Sequence, residues 1–572
     1  MSTRPLDRAW LGVFLVSLVP FLPALSGGFL DWDDNVNFLT NPHYRGLGLA
    51  QVRWMLTSAR SGHWIPVTWL TLGADYLVWG MNPFGYHLTS IVLHAVNAAL
   101  LFALARRLLA RALPEAGARA RDLGALVAAL GWAVHPLRAE SVAWITERRD
   151  LVSGALALLS VLAYVTMTER EGPARRRWLA VAVGAFAAAL GAKSIVMGLP
   201  LVLVLLDVYP LRRGLRLWPE KAPFLALAVV GAAVSVTVAA RAWPLTPLAA
   251  RPVAVRAIDV PYALAFYVAK SIVPLGLSPL YELGAVADPV APVRVMALVV
   301  VAATGVAAVL LARRRRPAAL VALASYALLL APVSGVVHIG AILVADRYSY
   351  LATMPLAILL GGATAAMLAS AATARRQRTA AVVTGALGVW LVALASLAWG
   401  QTQVWRSTET LWRAAIAVDP ACALCHSQLG SELGNRRRLP EATAEFAEAV
   451  RLRPDHPPFH RNLALALLKS GRADEAAERY RRIVGWYPDD VESLTRLGAA
   501  LLGAHRAADA LAPLERAARL RPQDREVRYF LARAYSAQGR VADARAQAEA
   551  VRAIDPHLAD DIVANLAASP AR

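Results

Sequence analysis

The chain reads as all-α in two parts, a polytopic helical membrane domain followed by a solenoid of helix pairs, and three observations predict this. Hydrophobic residues make up 57% of the sequence, with a mean hydropathy of +0.46, well above a soluble globular mixture. Apolar runs of membrane length recur as far as residue 398, each near the roughly 20 residues that a crossing needs. From Gln401 those runs stop and a 34-residue period begins. The formal net charge of +20 comes from arginines clustered between apolar runs, which is topology and attraction to anionic lipid rather than a nucleic-acid footprint. Two cysteines are too few for a disulfide framework.

Taken in order, Arg4 and Arg8 precede the first run, Trp10 to Leu25. A retained signal anchor with a cytoplasmic N-terminus is expected there, because many further spans follow. Residues 27 to 82 form a long outer loop holding Trp32, Trp54, Trp64, Trp69 and Trp79, a density that suits the membrane interface. Further crossings are expected over 86–108, 123–134 and 151–165, in a hairpin around Lys193, and over 222–240. Later ones fall over 293–311, 318–332, 351–368 and 380–398, for about eleven in all by length and charge asymmetry. Arg375, Arg376 and Arg378 mark the last cytoplasmic turn. The stretch 241–291 is ambiguous, and its apolar part (259–280) reads as re-entrant or in-plane, since it is short and ends at Pro274 and Pro279.

In the repeat, Leu429-Gly430, Leu463-Ala464, Leu497-Gly498 and Leu531-Ala532 recur in register with Ala442, Ala476, Ala510 and Ala544, then Pro454, Pro488, Pro522 and Pro556. Each unit is a helix pair, its small residues letting the helices approach and its proline ending the second helix. The expected division is a membrane domain over 1–400, a connecting half-repeat helix over 401–422, and a repeat domain over 423–572 with four units and a cap over 557–568. An odd number of crossings puts the repeats on the outer side of the membrane.

Several groups on that same side carry chemistry. Asp31-Trp32-Asp33-Asp34 places like charges at a membrane exit, which burial and mutual repulsion make costly. Asp33 and Asp34 are the candidate acid–base pair, and Asp31 reads as structural. His135, Arg138 and Glu140, followed by Glu147-Arg148-Arg149-Asp150, can bind a lipid-linked phosphate while keeping a carboxylate near an acceptor. Lys193, Lys270 and Arg347 are positive residues placed outside, against the prevailing charge rule, and so are phosphate candidates. For each of these the alternative is a capped loop or a side chain snorkelling to headgroups. Cys422-Ala423-Leu424-Cys425-His426 matches a haem-attachment pattern. Lying at the start of a repeat helix with no haem pocket evident, Cys422 and Cys425 read instead as a redox or disulfide pair, or as inert.

Asp33-Asp34 with Asn41-Pro42, then Asn82-Pro83-Phe84-Gly85-Tyr86-His87 and Leu93-His94-Ala95-Val96-Asn97, resemble the bacterial relatives of the transmembrane-and-tetratricopeptide O-mannosyltransferases. His135-Pro136 through Glu140-Ser141-Val142-Ala143-Trp144, Arg149-Asp150-Leu151, Ala192-Lys193-Ser194 and Arg347-Tyr348 fit the same pattern. The resemblance covers nearly the whole chain. It implies a GT-C-like glycosyltransferase that takes a polyprenyl-phosphate sugar, with a protein hydroxyl as acceptor selected by the repeats. It also implies Asp33 as acceptor-side base, Asp34 as its partner and Glu140 as a second-loop acid. His135, Arg149, Lys193 and Arg347 become donor-phosphate contacts, beside Arg138, Arg148 and Lys270 from the residues themselves. Animal members often carry histidine where Arg138 stands, which leaves a divalent metal open. A non-enzymatic membrane scaffold for envelope proteins is the alternative function.

Overall fold

A computed structural model of the chain describes residues 8–214, 218–242, 252–282, 291–335, 342–370, 374–552 and 554–567. Among them every regular element is helical, apart from one isolated bridge between Arg60 and His63. The chain divides into two compact units, Met1–Ala414 and Ala415–Arg572, and the division falls inside the 401–422 segment.

In chain order the first unit holds α1 Ala9–Leu18, α2 Leu49–Thr57, α3 Pro66–Trp79, α4 Pro83–Ala112, α5 Ala118–Ala133, α6 Ala139–Ala143, α7 Arg148–Met167, α8 Gly172–Ala192 and α9 Leu199–Val208. Then come α10 Trp218–Ala242, α11 Val253–Ile272, α12 Pro292–Arg313, α13 Ala318–Leu330, α14 Ser349–Ala352, α15 Met354–Ala369, α16 Ala374–Val404 and the start of α17 Thr408–Val418. α4 shows how local chemistry sets such an element. The Asn82 side chain accepts the Phe84 N–H at 3.1 Å and Pro83 opens the first turn, satisfying a donor that has no intrahelical partner.

Among the described residues six helices are long and apolar enough to cross a membrane, and up to seven if the bent pair Asp346–Ala352 and Met354–Ala369 counts as one span. The other expected crossings are also helical, but charge or proline shortens them. Arg119, Arg121 and Asp122 occupy the first turns of α5, Arg175 to Arg177 those of α8, and Pro332 closes the run that begins at α13. Of the ambiguous 241–291 stretch, 243–251 and 283–290 lie outside the described residues, and α11 fills much of the rest as a 20-residue helix. α5 and α15 pack through Gly124 and Gly361, where a Cβ on either would collide with the other's carbonyl. Small residues at such a crossing let two membrane helices approach backbone to backbone.

The second unit pairs α18 Ala423–Asn435 with α19 Leu439–Leu452, α20 Pro457–Lys469 with α21 Ala473–Trp486, α22 Val491–Gly503 with α23 Ala507–Leu520, and α24 Arg525–Ala537 with α25 Val541–Arg552. α26 Pro556–Ala567 packs on the last pair; of the expected cap, residue 568 lies outside the described residues. Gly430 faces Phe446 and Gly498 faces Leu514 too closely for a Cβ, which is why small residues mark the period. The turn inside each pair carries one left-handed residue, Arg437 (φ 61°), Gly471 (77°), His505 (59°) and Gly539 (72°), again 34 apart.

Candidate active site

The loop from 27 to 48 positions the acidic residues. Phe38, Tyr44, Met55, Trp69, Leu72, Tyr86 and Ile145 form a buried cluster beneath it. Trp32 packs on Trp412 with ring centres 4.5 Å apart, and the Asp31 N–H donates to Thr408 Oγ1 at 2.9 Å. The loop is therefore anchored at its Asp31-Trp32 end and over the cluster, and Trp32 is a packing residue.

Asp33 and Asp34 then part company. Asp34 is 1% exposed and its carboxylate accepts from the Leu30 N–H at 3.0 Å, the Thr146 N–H at 3.2 Å and the Thr146 hydroxyl at 2.6 Å. Its oxygens are committed to holding the first loop against the second. Burial nevertheless outweighs those three donors and pushes its pKa up to about 7. Asp33 lines a cavity of about 100 Å³ together with Asn37, Arg60, His63, Thr146 and Arg149. Among the described residues nothing hydrogen-bonds to its carboxylate. Burial raises its pKa, with Arg149 pulling the other way, Glu147 adding to the rise and Arg347 opposing it.

Behind the cavity lies a buried ion network centred on Glu147. Arg149 donates to both Glu147 oxygens, at 3.0 and 2.5 Å, and Lys193 Nζ donates to Glu147 at 2.8 Å and to Asp150 at 2.7 Å. Arg347 pairs through its guanidinium with Glu140, donates its N–H to Glu140 at 2.8 Å, and reaches Glu147 with Nε at 3.3 Å. Ser141 supplies a hydroxyl to Asp150 at 3.1 Å. Segments far apart in sequence thus converge. Asp33 from the first loop, Glu140 and Glu147 from the second, Arg149 and Asp150 at the start of α7, Lys193 at the end of α8, and Arg347 share one electrostatic environment.

Four residues expected at a phosphate site are held elsewhere. Arg148, fully buried, pairs with Asp75 at 2.8 Å and donates to Ser90 at 2.9 Å and to the Tyr86 carbonyl at 2.5 Å. It bolts α7 to α3 and α4, and being adjacent to Arg149 in a helix it must point to a different face. Arg138 donates to the Ser349 and Tyr350 carbonyls, both at 3.1 Å, and to the Ser349 hydroxyl at 2.9 Å. His135 accepts the Leu137 N–H at 3.2 Å on Nδ1 and meets the Ser271 carbonyl through Nε2 at 3.2 Å. Lys270 donates to the carbonyls of Leu275 and Gly276, at 2.6 and 3.0 Å. Arg148 is spent on a buried ion pair, whereas Arg138, His135 and Lys270 engage backbone carbonyls.

The sequence reading missed His63, Arg60, Asp75 and the central role of Glu147. His63 keeps accessible surface although protein surrounds most of its ring. That enclosure, then the Arg149 charge, lowers its pKa to about 3, so the imidazole facing the cavity is neutral. A lone acid in the apolar run Leu72-Gly73-Ala74-Asp75 was the available signal for Asp75; nothing in spacing marked His63. Among the described residues no group of three His, Cys, Asp or Glu side chains is arranged to hold a metal ion, each network carboxylate facing a cation instead. Cys422 and Cys425 are joined as a disulfide. His426 is engaged by Glu445 at 2.6 Å and the Pro420 carbonyl at 3.2 Å, so neither the thiols nor the imidazole of the haem-like pattern is free.

The tetratricopeptide repeat family matches residues 427–491 and 501–569. The protein O-mannosyl-transferase Tmtc1 of Drosophila melanogaster is 34% identical over 27% of this chain and 18% of its own length. Tmtc2 of the same organism, also a protein O-mannosyl-transferase, is 33% identical over 31% of this chain and 19% of its own. The matched stretch is thus under a fifth of either relative. A solved tetratricopeptide protein described as having an unusual peptide-binding site, YrrB, is 18% identical over 30% of this chain and 90% of that one, with a TM-score of 0.27. With apolar membrane helices and C-terminal repeats on one chain, the protein is similar over less than a third of its length to protein O-mannosyl-transferases.

Proposed function

We propose that the chain is a membrane glycosyltransferase of GT-C type that moves a sugar from a polyprenyl-phosphate donor to a hydroxyl of a protein serine or threonine. The observation that carries this is Asp33: an unbonded carboxylate on a small cavity, beside Arg149 and in front of a network of three cations. In the transfer the acceptor oxygen forms its bond to the anomeric carbon as the bond from that carbon to the phosphate oxygen breaks. The hydroxyl proton passes to Asp33 and the electron pair leaves with the polyprenyl phosphate, with inversion. A raised pKa makes Asp33 a better proton acceptor once ionised. The leaving phosphate gains a charge, and Arg149, Lys193 and Arg347 are placed to offset it. Those cations are already paired with Glu147, Glu140 and Asp150, so a donor phosphate competes with these carboxylates for the same donors. Glu140 thereby acts through Arg347 rather than on substrate.

In this reading residues 1–400 are the transferase, 401–422 connect, and 423–572 hold the acceptor polypeptide along the repeat surface. The membrane is a bacterial inner membrane, the N-terminus cytoplasmic and the repeats periplasmic. The Cys422–Cys425 disulfide suits that oxidising compartment. Glycoproteomics of a deletion strain complemented with wild type, Asp33→Asn or Asp34→Asn tests the proposal. Loss of glycopeptides with Asp33→Asn at normal protein level is expected; unchanged glycosylation in that strain would leave a scaffold role instead.

A further inference from the structure

Away from the acidic site, an apolar trough of about 520 Å³ runs among α4, α7, α9, α13 and α15. Its lining is contributed by the C-terminal half of α4, from Leu104 to Leu113, whereas the N-terminal end of that helix lies by Arg148 and the site. The trough takes in Arg316 at the Leu113 end and runs inward as far as Val196, Leu199 and Leu351, and no residue of the ion network lines it. Leu108, Val161, Val202 and Ile358 are typical of its walls, and its polar lining residues are Arg316, Tyr209 and Ser325.

We infer that this trough is a binding site for an anionic phospholipid of the adjacent leaflet, one acyl chain lying in the trough and the phosphate at its arginine-bearing mouth. Three observations point to that occupant. The volume falls within the roughly 300–1,000 Å³ of sites that enclose a small amphiphile. The trough lies among helices that span or enter the membrane, so the molecules that reach it are lipids rather than water, which an apolar cavity of this kind excludes. The mouth is cationic and unsatisfied. Arg213 is taken up by Asp207 and Glu220, while Arg316, which lines the trough, and Arg212, which does not line it but lies within electrostatic reach of the lining residue Tyr209, are exposed and have no partner among the described residues. A single apolar slot ending in free guanidinium groups is complementary to one anionic head and one chain.

The full-length chain in detergent, offered equal amounts of phosphatidylglycerol and phosphatidylcholine and read by native mass spectrometry, tests this. Wild type is expected to retain about one phosphatidylglycerol per chain, preferred on the order of tenfold by two arginines. Arg212→Ala with Arg316→Ala should bring the preference to parity while a lipid is still retained. Ser325→Phe or Ala322→Trp, which fill the trough, should lower retention of both lipids. Because the arginines are on the surface, their variant decides even where a filling variant fails to fold. A preference that survives the double arginine change overturns the inference. So does retention that survives folded filling variants, or a native occupant that proves to be polyprenyl phosphate.

Discussion

Asp33 and Asp34 are adjacent, yet the structure predicts opposite consequences for removing their charges, and Asp34 gives the sharper test. Its pKa, ordinarily 3.8, is raised to about 7 by burial. A carboxyl raised on folding adds stability that is fully present below the unfolded value, near 3.8, and is lost as pH rises through about 7. The loss is on the order of 4 kcal/mol, at about 1.4 kcal/mol for each tenfold change in proton affinity. In Asp34→Asn the new amide would keep one carbonyl oxygen for the two Thr146 donors and turn an N–H toward the Leu30 N–H, costing roughly 1–3 kcal/mol for that buried donor. Roughly 2 kcal/mol of the pH-dependent stability is already lost at pH 5, so Asp34→Asn should lie within about 1 kcal/mol of wild type there, and the gap, counted as wild type minus variant, should be negative by pH 8. Thermal unfolding of both proteins in one detergent at pH 5, 6, 7 and 8 measures this. A gap that does not change with pH would refute the burial argument, and a gap that widens would show that Asp34 is ionised and stabilising.

Two further outcomes separate site from scaffold, and two more concern the repeats. Arg148→Met breaks a buried pair and should cost about 3–5 kcal/mol, read as loss of monodisperse protein. Arg149→Met at the cavity leaves Glu147 paired with Lys193 and Arg347, so it should instead yield folded protein whose sugar transfer is lost, read from glycopeptides at matched protein level. Intact-mass alkylation should label neither cysteine before reduction and both after it, and Cys422→Ser with Cys425→Ser should cost at most about 2 kcal/mol, since so short a loop restrains the unfolded chain little. His505→Gly, at a left-handed turn where Gly471 and Gly539 occupy the equivalent places, should raise the unfolding midpoint of the repeats by the equivalent of about 1 kcal/mol.

The helices and the repeat were legible because both are periodic signals. A 34-residue register in leucine, alanine and proline admits one architecture, and every expected crossing became a helix even where Arg175 to Arg177 or Pro332 shortened its apolar length. Charge placement was legible only to the level of the loop. Asp33, Glu140, Arg149, Lys193 and Arg347 were picked out by side of the membrane, and the fold brings them together. The same rule also selected Arg138, His135 and Lys270, which are spent on carbonyls at loop corners. Sequence cannot distinguish these two fates, because a carbonyl partner leaves no residue-type signature. Arg148 and Arg149 show the limit plainly: they are neighbours of one type, and the helix sends one to Asp75 and the other to Glu147.

Glu147 explains why the cations stay in place before any substrate arrives. Three buried positive groups without counter-charge would repel one another and suffer full desolvation, so an empty phosphate site built from Arg149, Lys193 and Arg347 alone would not hold its geometry. Glu147 touches all three and Glu140 fixes the far side of Arg347, so carboxylates occupy the space that an anion would claim. Pairing of this kind keeps the donors preorganised, and under the proposed transfer a donor phosphate would gain only what it offers beyond Glu147. Glu147→Gln should then both loosen the fold and let the cations bind anions more tightly, whereas a purely structural network would show the first effect without the second. Titration of detergent-solubilised wild type and folded Glu147→Gln with a short-chain prenyl phosphate distinguishes the two. An affinity that falls or stays constant in the variant would remove the network from the phosphate site.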